Sequence, residues 1–375
     1  MTAGEKGKTE MNQLEKARAM INEADEEIAK QFTRRMEAAR LVAAYKKEHA
    51  LPVTDPQREA EVLRRSAALV EDPDIRSYYV QLQKEIMALS RSYQTQLLTG
   101  MRVAYSGTEG AFAHIAAGRI FPTAQRIAFG GFSEAYRAVE DGSCDCAVLP
   151  LENSYAGEVG QVTDLMFQGN LYVNGIYELK IMQNLIGIPG SSLSDIKTVI
   201  SHPQALNQCA PFIRQNAWKE VPYANTATAA QKVKADGDPS VAAIASSETA
   251  ALYGLEVLAE GINESRFNTT RFAVFSRTQT EPVLSAMEAR FILLFTVRNQ
   301  AGSLAEAINI IGRHGFNMRM LRSRPMKELP WEYYFYVEAE GSPCGTEGEA
   351  MLSELAGCCD RLKLVETYRR HAEIG

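Results

Sequence analysis

Arg35 and Lys46 stand eleven residues apart in a stretch whose apolar residues recur at intervals of three, four or seven. On a helix that interval is about three turns, roughly 16 Å of rise at nearly one azimuth, so the two long cations can converge on one anionic ligand. Arg58 and Glu59 open a second helical stretch, and Ser90 and Gln94 lie one turn apart on a third, on one face. Together these residue types make an anion pocket. Arg18 lies about 25 Å from Arg35 along the axis, so it can reach such a pocket only in a second copy of the chain. Asp55 has two readings, a helix cap before Pro56 or a further polar wall of the pocket. A second set of groups follows. SGTEGAFAH at 106–114 is a glycine-bearing turn that can offer backbone N–H groups to a carboxylate, and PLENS (150–154), SHPQALNQC (201–209) and NTTRF (268–272) are polar clusters at strand ends. No metal or organic cofactor is expected. The six cysteines form no C-x-x-C pair and the five histidines are scattered, and the adjacent Cys358 and Cys359 read as free thiols of a reducing compartment.

The elements that must position these groups fall into three segments. Only Gly4 and Gly7 of the 26 glycines precede residue 100, whereas 32 of the 86 charged residues do. Charge and apolar periodicity without glycine predict helices at about Met11–His49, from Pro56 to about Val70, and at Ile75–Leu98. At 1.5 Å per residue the first would span roughly 58 Å, too long for one small domain to cover, so an intertwined helical dimer is expected. From Met101 short β-rich runs alternate with helical stretches. Strands are expected at 102–106, 146–150, 184–189, 198–203, 241–246 and 271–276, with helices at Ser133–Glu140 and Ala205–Gln215. RTQTEP at 277–282 reads as a linker. Beyond it ARFILLFTV, AGSLAEAINIIGRHG, MRMLRSRPM, WEYYFYVEAEG, a helix from Glu347 to Cys359 and LKLVETY give a βαββαβ order, which is ferredoxin-like. The expected domains are 1–98, 101–280 and 289–375.

A net charge of −6 leaves no basic field for nucleic acid, and no apolar run approaches the roughly 18 to 20 residues of a membrane span. A cytoplasmic protein acting on small molecules, with neither nucleic acid nor membrane as partner, is the expectation.

From Leu14 to Gln94 the chain resembles the all-helical type of chorismate mutase, with Arg18, Arg35, Lys46, Asp55, Arg58, Glu59, Ser90 and Gln94 at that family's substrate contacts. The resemblance implies that Arg18 of the other subunit, Arg35 and Arg58 hold the carboxylates with help from Ser90. Glu59 and the Asp55 region would take the ring hydroxyl, and Lys46 and Gln94 would bond the ether oxygen of the breaking C–O bond. Chorismate to prephenate is a pericyclic rearrangement, so holding a reactive conformer and stabilising charge on that oxygen suffice. From about Met101 to Arg277 the chain resembles prephenate dehydratase, most specifically at NTTRF. Carried over by position, Thr270 is the family's key hydroxyl and Arg271 its neighbouring cation, a natural carboxylate partner. Glu152, Asn153, Ser201, His202 and Gln208 fall in a cleft between two α/β lobes. The leaving hydroxyl of prephenate needs a proton, for which Thr270 reads as donor or relay and Glu152 or His202 as candidate sources. His202, before Pro203, also reads as a plain turn residue.

From about Arg290 the chain resembles an ACT domain, an amino-acid-sensing module. Asn299, Gly302, Ser303 and Leu304 fit its strand-to-helix turn, and Arg322, Ser323, Arg324 and Pro325 its second signature. Arg322 departs from the pattern, because that family has an acidic residue there and a cation does not pair with the ammonium of phenylalanine. The resemblance as a whole implies a bifunctional chorismate mutase/prephenate dehydratase, a homodimer or dimer of dimers, inhibited by phenylalanine. Two rivals keep the architecture: a dehydratase that also accepts arogenate, and a two-lobed amino-acid-binding regulator without catalysis.

Overall fold

The computed structural model describes residues 12–265, 267–279, 289–327, 329–369 and 372–374. The chain divides into two compact units at Gly100.

The first unit is three helices. In α1 (Gln13–Glu48) the Asn12 side chain accepts from Glu15 N at 2.9 Å while Glu15 returns a bond to Asn12 N at 2.8 Å, a capping box. Asp55 caps α2 (Pro56–Ala67) by accepting from Arg58 N at 3.0 Å, with Pro56 at the first helical position. Asp72 caps α3 (Pro73–Thr99), and Gly100 ends it at φ 80°. Among α1 residues only Ala39 and Ala43 are buried in the single chain. Leu14, Ile21 and Ile28 remain 58, 58 and 57% exposed, an apolar stripe that a single copy leaves uncovered.

The second unit begins with β1 (Arg102–Ser106), α4 (Phe112–Ile120), β2 (Gln125–Phe129), α5 (Phe132–Glu140), β3 (Cys146–Asn153), β4 (Gly157–Glu158), α6 (Gly160–Gln168) and β5 (Tyr172–Lys180). The chain then crosses to a second lobe: β6 (Asn184–Gly187), β7 (Thr198–Ser201), α7 (Pro203–Gln208), α8 (Ala210–Gln215), β8 (Lys219–Pro222), α9 (Thr226–Asp236), β9 (Val241–Ala245), α10 (Ser247–Tyr253) and β10 (Glu256–Ala259). It returns in β11 (Thr269–Ser276), which inserts antiparallel between β3 and β5. The two lobes thus rest on a sheet of order β10-β6-β9-β7-β8 and on a seven-stranded mixed sheet, and the chain passes between them after β5 and again before β11. The helix expected at Ala205–Gln215 is two helices, because Pro211 lacks an N–H and its ring crowds the preceding turn. The strands β2, β5, β8 and β10 were not among those expected, and residues 280–282 of the expected linker lie outside the described residues.

The last segment holds β12 (Ala289–Val297), α11 (Ser303–Arg313), β13 (Met318–Pro325), β14 (Tyr333–Glu340), α12 (Thr346–Cys358) and β15 (Cys359–Arg369), in an antiparallel sheet of order β13-β14-β12-β15. That is the ferredoxin-like arrangement. A short β16 (Ala372–Glu373) returns to pair with β5. The continuous apolar run of β12 reflects burial on both faces. Phe291, Leu293 and Phe295 pack with α11 and α12, while Ile292 and Leu294 share a core with Leu149, Val162 and Met166 of the first lobe.

Candidate active sites

In the helical unit a pocket of about 350 Å³ is lined by Arg35, Lys46, Asp55, Arg58, Glu59, Ser90, Arg91 and Gln94. Seven of the eight residues singled out in this segment therefore meet in one place; Arg18, on the uncovered half of α1, is not among the lining residues. Arg35 donates to Ser90 Oγ, and partial burial lowers its pKa from the ordinary value. Lys46 Nζ donates to Val53 O at 2.5 Å. Arg58 rests on Glu61 at 2.7 Å and Arg91 on Glu59 at 2.8 Å, partly exposed pairs that a ligand can displace at little cost. Gln94 is 8% exposed and its Oε1 has no hydrogen-bond partner among the described residues. A buried amide so uncommitted is costly unless something else meets it. Asp55 both caps α2 and borders the pocket, so its two readings stand together. Arg91 was not foreseen; its place beside Ser90 and three residues before Gln94 was the available signal.

Between the two lobes of the second unit lies a cleft of about 600 Å³. Thr270 and Asn153, cross-strand partners at the ends of β11 and β3, form its floor. Asn153 Nδ2 donates to Thr270 Oγ1 at 2.9 Å and to Asn268 Oδ1 at 2.8 Å, and Asn268 Nδ2 donates to Gln208 Oε1 at 3.0 Å. Gln183 Nε2 also donates to Gln208 Oε1, at 3.3 Å, so a line of amides joins both lobe crossings to the threonine. Because Thr270 Oγ1 accepts from Asn153, its own hydrogen is left to point elsewhere, and the open side is the cleft. His202 caps α7, its Nδ1 accepting from Gln204 N at 3.2 Å, which leaves the hydrogen on Nε2. Burial lowers the pKa of His202, so the ring is held neutral.

Among the described lining residues none is Lys, Arg, Asp or Glu. Helix N-termini take their place. Phe112 and Phe132, the first residues of α4 and α5, border the cleft with Val159 and Gln161 at the start of α6, and none of the three helices has a side-chain cap. Glu134 takes the N–H of Gly130 at 3.0 Å; the unpaired first-turn N–H groups of such helices otherwise favour anions. Gly107, at φ 97°, sits in the turn before α4, a conformation that glycine adopts without strain.

Residues 103–280 match the prephenate dehydratase family and residues 17–95 the family of type II chorismate mutases. The chain is 32% identical to the bifunctional chorismate mutase/prephenate dehydratase of Escherichia coli (strain K12), covering 96% of this chain and 97% of that one. It belongs to the bifunctional chorismate mutase/prephenate dehydratases. Among solved structures, the prephenate dehydratase of Arthrobacter aurescens in complex with L-Phe is 28% identical, with a TM-score of 0.67 over 72% of this chain and 90% of that one. GqqA, described as a novel type of quorum quenching acylase, is 30% identical with a TM-score of 0.67 over 72% of this chain and 98% of that one.

In this bifunctional enzyme the dehydratase cleft gathers Asn153, His202, Gln208 and Thr270, but not the other three residues expected there. Ser201 is fully buried and donates to Ile244 O at 2.7 Å. Glu152 and Arg271 turn to the opposite face of the sheet, since neighbours along a strand point to opposite sides. A bulge between Arg271 and Phe272, where Phe272 pairs with Pro150, keeps Pro150 and Asn153 on the cleft side and Glu152 off it. Glu152 and Arg271 pair with each other at 3.3 Å and reach the last segment, where Glu152 meets Arg322 and Arg271 meets Glu338 at 2.9 Å. Arg322 therefore faces Glu152 rather than solvent or an effector. Strand alternation also turns Arg324 inward, onto Asp164 at 2.9 Å, while Ser323 and Pro325 are exposed. Burial pushes the Asp164 carboxyl up, but hydrogen bonds from Arg324, Tyr334 and Lys327 outweigh it and hold the pKa below the usual value. Asn299 and Leu304 border a small pocket of about 120 Å³ with Trp331 and Tyr333; Gly302, at φ 92°, is the N-cap of α11, and Ser303 is that helix's first residue.

Proposed function

We propose that the helical unit rearranges chorismate to prephenate and that the two-lobed unit converts prephenate to phenylpyruvate, carbon dioxide and water. The observation that carries the second step is the Asn153–Thr270 bond, which leaves the threonine hydrogen for the leaving hydroxyl of a substrate in the cleft. Thr270 and the Nε2–H of His202 stabilise the departing oxygen, whose proton comes finally from water, because neither group is an acid near neutrality. The two carboxylates lie against the N-termini of α4, α5 and α6. One leaves as carbon dioxide as the ring becomes aromatic.

The lining also favours prephenate over its rivals' ligands. Arogenate and free amino acids carry an α-ammonium that asks for a carboxylate partner, and the described lining offers none, whereas the α-keto group of prephenate needs only N–H donors.

In the helical unit Arg35 with Ser90, Arg58, and Arg18 of a second copy hold the chorismate carboxylates. Glu59 takes the ring hydroxyl, and Lys46 and Gln94 bond the ether oxygen as charge grows on it. The pairing of two copies rests on the uncovered apolar stripe of α1, and the working unit is a homodimer or a dimer of dimers. The last segment is an ACT domain that binds phenylalanine through Asn299, Gly302, Ser303, Leu304, Ser323 and Pro325, as the L-Phe complex of a relative suggests, and thereby inhibits. Purified protein given chorismate tests the whole reading: prephenate and then phenylpyruvate accumulate, the second more slowly with phenylalanine present. Failure to form phenylpyruvate from added prephenate refutes the dehydratase assignment.

A further inference from the structure

We infer that Arg322 and Glu338, on the sheet of the last segment, are positioning residues for the dehydratase centre, acting through Glu152 and Arg271 on Asn153 and Thr270. The inference rests on the cleft being the dehydratase site.

Thr270 and Asn153 are partners across β11 and β3, and so are Arg271 and Glu152 one residue along. The two pairs share peptide bonds and differ only in the face they present. On the cleft face stand the threonine hydroxyl and the amide that orients it. On the reverse face stand an arginine and a glutamate whose opposite charges are held from the last segment. Arg271 NH2 donates to both oxygens of Glu338, at 3.0 and 2.9 Å, and Glu338 also accepts from Arg290 at 3.1 Å. Glu152 receives Arg322 on one oxygen and Arg271 on the other.

These are not surface ion pairs. The side chain of Glu338 is 1% exposed and those of Arg271, Glu152 and Arg322 are 12, 17 and 26% exposed, so solvent replaces a lost partner poorly, least of all at Glu338. The two terminal nitrogens of Arg271 are committed to different carboxylates, one to Glu152 and one to Glu338, which fixes the direction of the guanidinium. The neighbouring bulge makes this the place where the register of β3 against β11 is least secured by the ladder itself. Charge pairing from behind supplies the missing restraint. A shift of Arg271 or Glu152 toward a new partner must rotate the adjoining peptide and with it the hydroxyl of Thr270.

Replacing Arg322 by Glu puts a carboxylate against Glu152; replacing it by Lys keeps the charge. Arg322→Glu is expected to lower dehydratase kcat by about tenfold or more, since a misplacement of order 1 Å can cost up to about 10²-fold, with KM for prephenate within about threefold. Arg322→Lys should regain most of that loss, and Glu338→Gln should resemble Arg322→Glu. Mutase kcat, from the separate helical unit of the same molecules, should not move in any of them. Undiminished kcat in both Arg322→Glu and Glu338→Gln overturns the inference. So does a loss that Arg322→Lys fails to relieve, or one confined to KM or to thermal stability. A wild-type protein unable to convert prephenate would instead refute the functional reading beneath it.

Discussion

Replacing Thr270 by Val removes one oxygen from the dehydratase floor and leaves a side chain of nearly the same shape. The effect on folding can be bounded from the bonds around it. Asn153 Nδ2 loses Thr270 Oγ1 but keeps Asn268 Oδ1 at 2.8 Å and Thr269 O at 3.3 Å, so no buried donor is orphaned. A lost hydrogen bond of that kind costs about 1 kcal/mol, a shift of roughly 2 to 4 °C in Tm for a unit of this size. The effect on rate is of another order. Losing a donor aimed at developing oxyanion charge costs about 10²- to 10³-fold in kcat, or about 3 to 4 kcal/mol. The assay is phenylpyruvate formation at saturating prephenate, with chorismate mutase activity of the same sample as the measure of intact protein. Thr270→Ser, which keeps the hydroxyl, should remain within about tenfold of wild type. A folded Thr270→Val enzyme within about threefold of wild-type kcat would refute the assignment of the hydroxyl, whatever the mutase did.

Other expectations are as direct. Arg18→Ala and Lys46→Ala should each abolish mutase activity, yet mixing them after dissociation should restore about a quarter of it, because half the dimers are hybrids with one intact site of two; no recovery in a proven mixed dimer refutes the shared site. Dehydratase kcat should stay level from pH 7.5 to 8.5, because burial moves the titration of His202 below its ordinary 6.5; a tenfold fall per unit across that range would identify an imidazolium acid. The same shift means that folded protein binds fewer protons here than unfolded chain, so the stability owed to His202 is complete above pH 6.5 and falls as pH drops toward the folded pKa, readable from denaturation midpoints. Calorimetric titration with phenylalanine should give heat in wild type and in Arg322→Ala alike, since Arg322 faces Glu152; Gly302→Val, forced into φ 92°, should weaken binding, and a flat wild-type trace refutes the sensor reading.

Long periodic elements were legible in the sequence. The three helices of the first unit fall within a few residues of the expectation, and the length of α1 alone announced that one chain could not cover it. The βαββαβ order of the last segment was equally clear, because β12 and α11 carry unmistakable apolar patterns. What escaped was orientation. NTTRF and PLENS read as blocks of cleft residues, yet period-two alternation turns Arg271 away from any surface that Thr270 faces. Glu152 needed more than alternation, since the bulge opposite Phe272 decides its side and no residue type near it advertises a bulge. The amides of Gln183 and Asn268 escaped for a different reason. They lie 85 residues apart and meet only because the chain crosses between lobes twice at one place.

Two sites that must each receive a dicarboxylate solve the electrostatic problem in opposite ways. In the helical unit every helix begins behind a side chain that accepts one first-turn N–H: Asn12, Asp55 and Asp72. Of these three helix starts only that of α2, behind Asp55, borders the pocket, whose charge comes from the side chains of Arg35, Lys46, Arg58 and Arg91. In the two-lobed unit α4, α5 and α6 begin at Ala111, Gly131 and Val159, none of which can accept a hydrogen bond through its side chain. Residues at the start of each of the three border the cleft, where unpaired first-turn N–H groups favour an anion. The arginine of NTTRF is thereby released for the reverse face of the sheet, where a buried glutamate from the last segment requires it. Apart from His202, the described cleft lining carries no titratable side chain, while the ion pairs of Glu152 and Arg271 lie behind it, against the last segment.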